Sequence, residues 1–143
     1  MSNKRLWLAR ALISLLLFLN LQCALVFLWH PEDYMAGFGL GGAAGMGMLR
    51  GLGLLFVMWN VPYVFACVHP IKYRISLIEA LIMQAIGLLG ETLILLYGNY
   101  QNTLIQATIK RFILFDGMGL LLLLLAFALT RSTEKKKISP ERR

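Results

Sequence analysis

Four apolar runs, at about 11–29, 51–68, 75–97 and 112–130, fill most of this 143-residue chain. Each is near the ~20 residues a helix needs to cross a bilayer. A helix on the surface of a soluble domain keeps a polar face, and residues 119–129 have none. Charged residues make up 15% of the chain, against about 25% in soluble proteins. The pattern predicts an all-α integral membrane protein, an antiparallel four-helix bundle. Its helices are expected over about 6–29, 47–68, 74–97 and 109–130. Residues 1–130 form one transmembrane domain and 131–143 a basic, disordered cytoplasmic tail.

Positive residues set the orientation, because cytoplasmic loops carry the excess of Lys and Arg. Lys4, Arg5 and Arg10 start the first span, Lys72 and Arg74 join the second to the third, and Arg131, Lys135, Lys136, Lys137, Arg142 and Arg143 follow the fourth. Four spans put all of these on one side, so both termini are expected in the cytoplasm and the chain in the plasma (inner) membrane. The net charge of +7 is thereby accounted for without nucleic acid. The tail is also a candidate for anionic lipid headgroups. The basic N-terminus followed by an apolar stretch imitates a secretory signal, but the stretch is too long and lacks a small-x-small cleavage site. It reads as an uncleaved first helix.

His30-Pro31-Glu32-Asp33 ends that helix, because Pro31 cannot continue it. The segment 36–53 is rich in glycine. Gly37, Gly41 and Gly45 recur every fourth residue, as do Gly39, Ala43, Gly47 and Gly51. On a helix such rows admit a second backbone closely, within the bundle or in a homo- or hetero-oligomer through 37–53. One helix over 36–68 would be about 50 Å long at 1.5 Å per residue, longer than the ~30 Å hydrocarbon core. A loop or short interfacial helix is therefore expected at about 34–46.

Charges inside apolar runs are costly, roughly 2.5–3.5 kcal/mol each on insertion scales, so they seek partners. Arg50, Glu91 and Asp116 fall at similar depth near the outer ends of the second, third and fourth spans. Depth alone lets Arg50 bridge both carboxylates. Gln84, seven residues before Glu91 on one helical face, and Asn60 lie nearer the midplane. Pro62 kinks the second span and frees the carbonyl of Met58, which Asn60 can help to satisfy. Trp59 lies deeper than the interfacial belt, so its indole N–H is expected to need a buried partner. The set Arg50, Glu91, Asp116, Gln84, Asn60 and Trp59 is either a structural lock between helices or the rim of a ligand pocket.

Other chemistry is not signalled. Cys23 and Cys67 lie on different runs near opposite faces and form no CxxC. His30 and His69 end different helices at opposite faces, with no further His or Cys ligands beside them. No metal or cofactor is expected. Nucleophile–base pairs, phosphate loops and nucleotide fingerprints are not apparent.

Arg50-Gly51-Leu52-Gly53-Leu54-Leu55, Gly87-Leu88-Leu89-Gly90 and Asp116-Gly117-Met118-Gly119-Leu120, with four spans in about 140 residues, resemble the DoxX-like group of small four-helix membrane proteins. The resemblance covers most of the chain. It implies an antiparallel four-helix bundle and, for some members, a link to thiol or quinone redox complexes. The expectation for function is a non-enzymatic ligand-binding or accessory subunit. One alternative is a membrane oxidoreductase or isomerase acting on a lipophilic substrate, with Glu91 and Asp116 as acid–base groups. Another is a proton-coupled transporter or channel protomer, with a polar path from Glu91 past Gln84 to Glu79.

Overall fold

The computed structural model describes residues 3–131, which are helices joined by turns with no strand among them. Helix α1 covers Asn3–Trp29, and 3-10 turns follow at Pro31–Asp33 and Met35–Phe38. Then come α2 (Gly42–Trp59), α3 (Val61–Val68), α4 (Arg74–Tyr97) and α5 (Thr103–Arg131). With α2 and α3 taken as one path, four segments are long and apolar enough to cross a membrane: Lys4–Trp29, Gly42–Val68, Arg74–Tyr97 and Thr103–Thr130. The expected tail beyond 131 lies outside the described residues.

Two helices begin earlier than the apolar runs suggest, and local chemistry explains both. Helix α2 starts at Gly42 rather than near 47. Gly39 and Gly42 have φ of 67° and 65°, a region that glycine enters without steric cost, so the chain turns sharply and becomes helical at once. Helix α5 starts at Thr103 rather than near 109. There Asn102 Oδ1 accepts the Leu104 N–H at 2.9 Å, the N-cap bond that starts a helix.

Asn60 divides the second span more sharply than a kink. Its N–H turns to the Val57 carbonyl at 3.1 Å, leaving the Phe56 carbonyl without its usual backbone donor. The Asn60 side chain supplies one, donating from Nδ2 at 2.6 Å. The freed carbonyl that Asn60 satisfies is thus that of Phe56 rather than Met58. Pro62 then lies in the first turn of α3, where its missing N–H is tolerated.

The break decides what each half touches. Helix α3 packs against α1 and α4, whereas no Cα of α2 comes within 8 Å of α4 or α5. Elsewhere α1 packs on α2 and α5, and α4 on α5. Buried positions recur at helical spacing: Ala9, Ile13, Leu16, Ala24 and Phe27 on α1; Leu77, Ala80 and Gln84 on α4; Leu123, Ala126 and Thr130 on α5. Around α3, Ala9, Ile13, Leu16, Leu77, Ala80, Leu123 and Ala126 form a close-packed cluster with Tyr63 and Ala66. Small residues at the contacts let backbones approach, as helix packing in lipid requires. Arg10 Nε closes this end, donating to the Cys67 carbonyl at 3.0 Å beside a 2.9 Å contact between Ser14 Oγ and Cys67 Sγ.

The glycine rows divide differently from the sequence pattern. Gly37, Gly39 and Gly41 precede α2, and a Cβ at Gly47 or Gly51 would meet nothing within 4 Å. The packing row is Gly45, Leu49 and Gly53, all buried. A Cβ at Gly53 would stand 2.8 Å from the Ala24 carbonyl oxygen, a backbone atom that cannot swing aside. Gly53→Ala is therefore expected to destabilise by about 1–3 kcal/mol through overpacking. Gly51→Ala should be neutral or stabilising by up to about 1 kcal/mol. Thermal unfolding of the two variants in one detergent checks the contrast.

Candidate functional site

The half of the bundle opposite the packed cluster is hollow. A cavity of about 660 Å³ lies among α1, α2, α4, α5 and the 3-10 turns. Its position follows from the Asn60 break: α3 closes on α4, α2 does not, and the space between them is left unfilled. Phe56, Asn60 and Tyr63, spaced i, i+4 and i+7, turn one stripe of the broken span toward it.

A hydrogen-bonded chain of three side chains marks the boundary between the packed and hollow halves. The Tyr63 hydroxyl donates to Gln84 Oε1 at 2.6 Å, and Gln84 Nε2 donates to Asp116 Oδ1 at 2.7 Å. Tyr63 is 1% and Gln84 4% exposed, so the first bond is buried, while the second, to the half-buried Asp116, is partly so. The chain ties α3 to α4 and α4 to α5. Two glycines make room for it. A Cβ at Gly119 would approach Gln84 Nε2 to 2.6 Å, and one at Gly87 would strike Asp116 Oδ2. Gly87→Ala should therefore displace the Asp116 carboxylate and break its bond to Gln84. That loss of about 1–3 kcal/mol outweighs the ~1 kcal/mol helix-propensity gain, and a lowered unfolding midpoint would register it.

Five of the six residues singled out from the sequence line this one cavity: Glu91, Asp116, Gln84, Asn60 and Trp59. Arg50 does not. It is exposed, and its Nε donates to the Leu28 carbonyl at 3.3 Å. Depth was not sufficient to bring it to the carboxylates. Arg50 follows the buried Leu49 by one residue, so it points about 100° away from the packing row, on a helix none of whose Cα atoms comes within 8 Å of α4 or α5. Arg111, five residues before Asp116 on α5, is the basic residue on the cavity lining. Trp59 also differs from expectation. It is 37% exposed and packs edge-on against Phe56, so its indole is not enclosed.

Two acceptors in the lining have no hydrogen-bond partner: Asn60 Oδ1 and Glu91 Oε2, both buried. Unsatisfied buried polar atoms are uncommon and call for an explanation. Among the described residues no cation stands within 4 Å of Asp33, Glu91 or Asp116, the three acids on the lining; His30 lies 3.9 Å from Glu32.

The end of the cavity away from the packed cluster is capped by aromatic rings. Phe27 stands 5.5 Å from Tyr34, 5.5 Å from Phe38, 5.9 Å from Phe56 and 6.4 Å from Phe112, centroid to centroid. Phe112 in turn contacts Phe38 and Phe56 at 5.9 and 6.2 Å. Sequence reasoning missed this group and Tyr63. The spacing Phe56–Asn60–Tyr63 was the signal available; Phe27, Phe38 and Phe112 meet only through the fold.

The polar line does not continue toward Glu79, which is exposed. Below Gln84 the fully buried Leu77, Ala80, Leu123 and Ala126 fill the centre. No three His, Cys, Asp or Glu side chains converge among the described residues. His69 Nδ1 accepts the Lys72 N–H at 3.1 Å and shapes the turn before α4. Cys23 and Cys67 are both free thiols, Cys23 on the cavity lining. No family model, curated protein or solved structure matches this chain.

Proposed function

We propose that this chain is a small multi-pass membrane protein that binds a small, largely apolar molecule in its hollow half, as a ligand-binding or accessory subunit rather than an enzyme. The observation that carries the reading is an open cavity of about 660 Å³ whose lining holds two buried acceptors without partners. Ligand sites have this volume and this make-up, apolar walls with a few convergent polar groups. A ligand donor supplies what Asn60 Oδ1 and Glu91 Oε2 lack. The chain Tyr63–Gln84–Asp116 directs its donors to internal acceptors, which suits a fixed floor better than proton transfer. The packed centre between Gln84 and Glu79 favours binding over transport. The test is a structure of the protein purified with its native lipids. Density in the cavity within hydrogen-bond distance of Asn60 or Glu91 is expected; side-chain rearrangement that fills the cavity and pairs both acceptors would refute the site.

In this reading the spans form an antiparallel bundle in the plasma (inner) membrane, akin to the DoxX-like group, with both termini cytoplasmic. The positive-inside pattern supports it, as do the cations at the packed end, where the Arg10 guanidinium lies 4.7 Å from the Trp7 ring and that of Arg74 4.7 Å from the Phe127 ring. Lys72→Cys and Asn99→Cys test it. An impermeant maleimide should label Asn99→Cys on intact spheroplasts and Lys72→Cys only after lysis; the reverse result would invert the topology. The open row of Gly47 and Gly51 is the surface for a second helix, and the basic tail is suited to anionic headgroups.

A further inference from the structure

The cavity lining is acidic in a basic chain. Three of the seven Asp and Glu residues face it, Asp33, Glu91 and Asp116, against Arg111 as its one base among the described residues, while the whole chain carries +7. Among the described residues no cation stands within 4 Å of these carboxylates. Asn60, 3% exposed, adds an unpartnered carbonyl oxygen to the same lining. The walls are aromatic: Phe27, Phe56 and Phe112 lie within 6.4 Å of one another, with Trp59 beside Phe56. Ring faces carry negative potential and attract cations, most strongly where water is excluded. Carboxylates, an unpaired amide oxygen and ring faces share one preference, a positive hydrogen-bond donor on an apolar body.

The shape of the cavity agrees. Helices α2 and α4 do not meet beside it. Its lining on that side includes the exposed Ile86, Ile94 and Trp59, an apolar rim facing where lipid would lie. A ligand arriving from the bilayer needs an apolar body, and one held by Glu91 and Asp116 needs a cationic head.

Resting on the binding function proposed above, we infer that the ligand is a lipophilic amine, its protonated nitrogen against Glu91, Asp116 and Asn60 Oδ1 and its apolar body among Phe27, Phe56 and Phe112. The test uses the full chain in nanodiscs, with binding read against empty nanodiscs at neutral pH. The probes share a biphenyl body and differ in one para group: dimethylaminomethyl, hydroxymethyl or carboxylate. The amine should bind saturably, one per chain, and at least roughly tenfold more tightly than the alcohol, the scale of a hydrogen bond to a charged group. Glu91→Gln should weaken amine binding more than alcohol binding and so narrow the preference for the amine. Equal binding of amine and alcohol to the native protein would overturn the cation assignment while leaving the binding function intact. So would tightest binding of the carboxylate. Saturable binding by none of the three would overturn both. The native-protein series decides even if Glu91→Gln fails to fold.

Discussion

Replacing Gln84 by leucine is expected to cost the fold about 3 kcal/mol, because it strips partners from two side chains at once. Tyr63 loses the acceptor of its 2.6 Å bond and Asp116 the donor of its 2.7 Å bond. Each buried group left unsatisfied costs roughly 1–3 kcal/mol, and more when charged. Leucine has nearly the volume of glutamine, so packing around the site changes little. Tyr63→Phe alone removes one donor and leaves Gln84 Oε1 unpaired, for about 1–2 kcal/mol. The double variant should cost less than the sum, by about 1 kcal/mol, because both ends of the Tyr63–Gln84 bond are then gone and Asp116 alone is left without its donor. Denaturant unfolding of the two single variants and the double variant gives the coupling directly; strict additivity would mean that the chain does not act as a unit.

Phe27→Ala has a comparable expected effect at the other end of the cavity. Phe27 is 2% exposed and touches rings from the 3-10 turns, α2 and α5. Truncating a buried phenylalanine typically costs about 3–5 kcal/mol. Here the loss concentrates in the cap, since the packed cluster around Ile13, Leu16 and Leu123 lies on the far side of Gln84. The variant should therefore unfold at lower temperature and also be cut faster by protease between residues 30 and 41, with its helical content largely kept. A lowered midpoint with unchanged cleavage in that segment would place the effect in the bundle instead.

The spans and the polar residues of the cavity could be read from the sequence; their azimuths could not. Runs of apolar residues report length, and length locates a membrane helix well. Depth along a helix also follows from counting at 1.5 Å per residue, and Glu91, Asp116, Gln84 and Asn60, grouped by depth, line one cavity. Arg50 shows where counting fails. A residue's direction around the helix depends on which face packs, and in α2 Gly45, Leu49 and Gly53 set that face. Gly45 and Gly53 were hidden among eight glycines over residues 37–53, most of which serve turns or open surface. Helix starts were misplaced for a related reason. Apolar runs mark where a helix is greasy, whereas the Asn102 cap and the positive-φ glycines mark where it begins. The cavity itself was not legible, because it arises from the failure of α2 to reach α4 beyond the Asn60 break.

Gly90 offers the most direct test of the central claim, that the hollow half is a binding site. It lies on the cavity lining of α4, and a Cβ there would meet nothing within 4 Å. Gly90→Phe should therefore fold as well as the native protein while its ring occupies the cavity. The measurement is native mass spectrometry of the two proteins extracted identically from membranes. The native chain should carry a small molecule that Gly90→Phe lacks, with unfolding temperatures of the delipidated proteins unchanged. Equal retention of the same molecule by both would contradict the account.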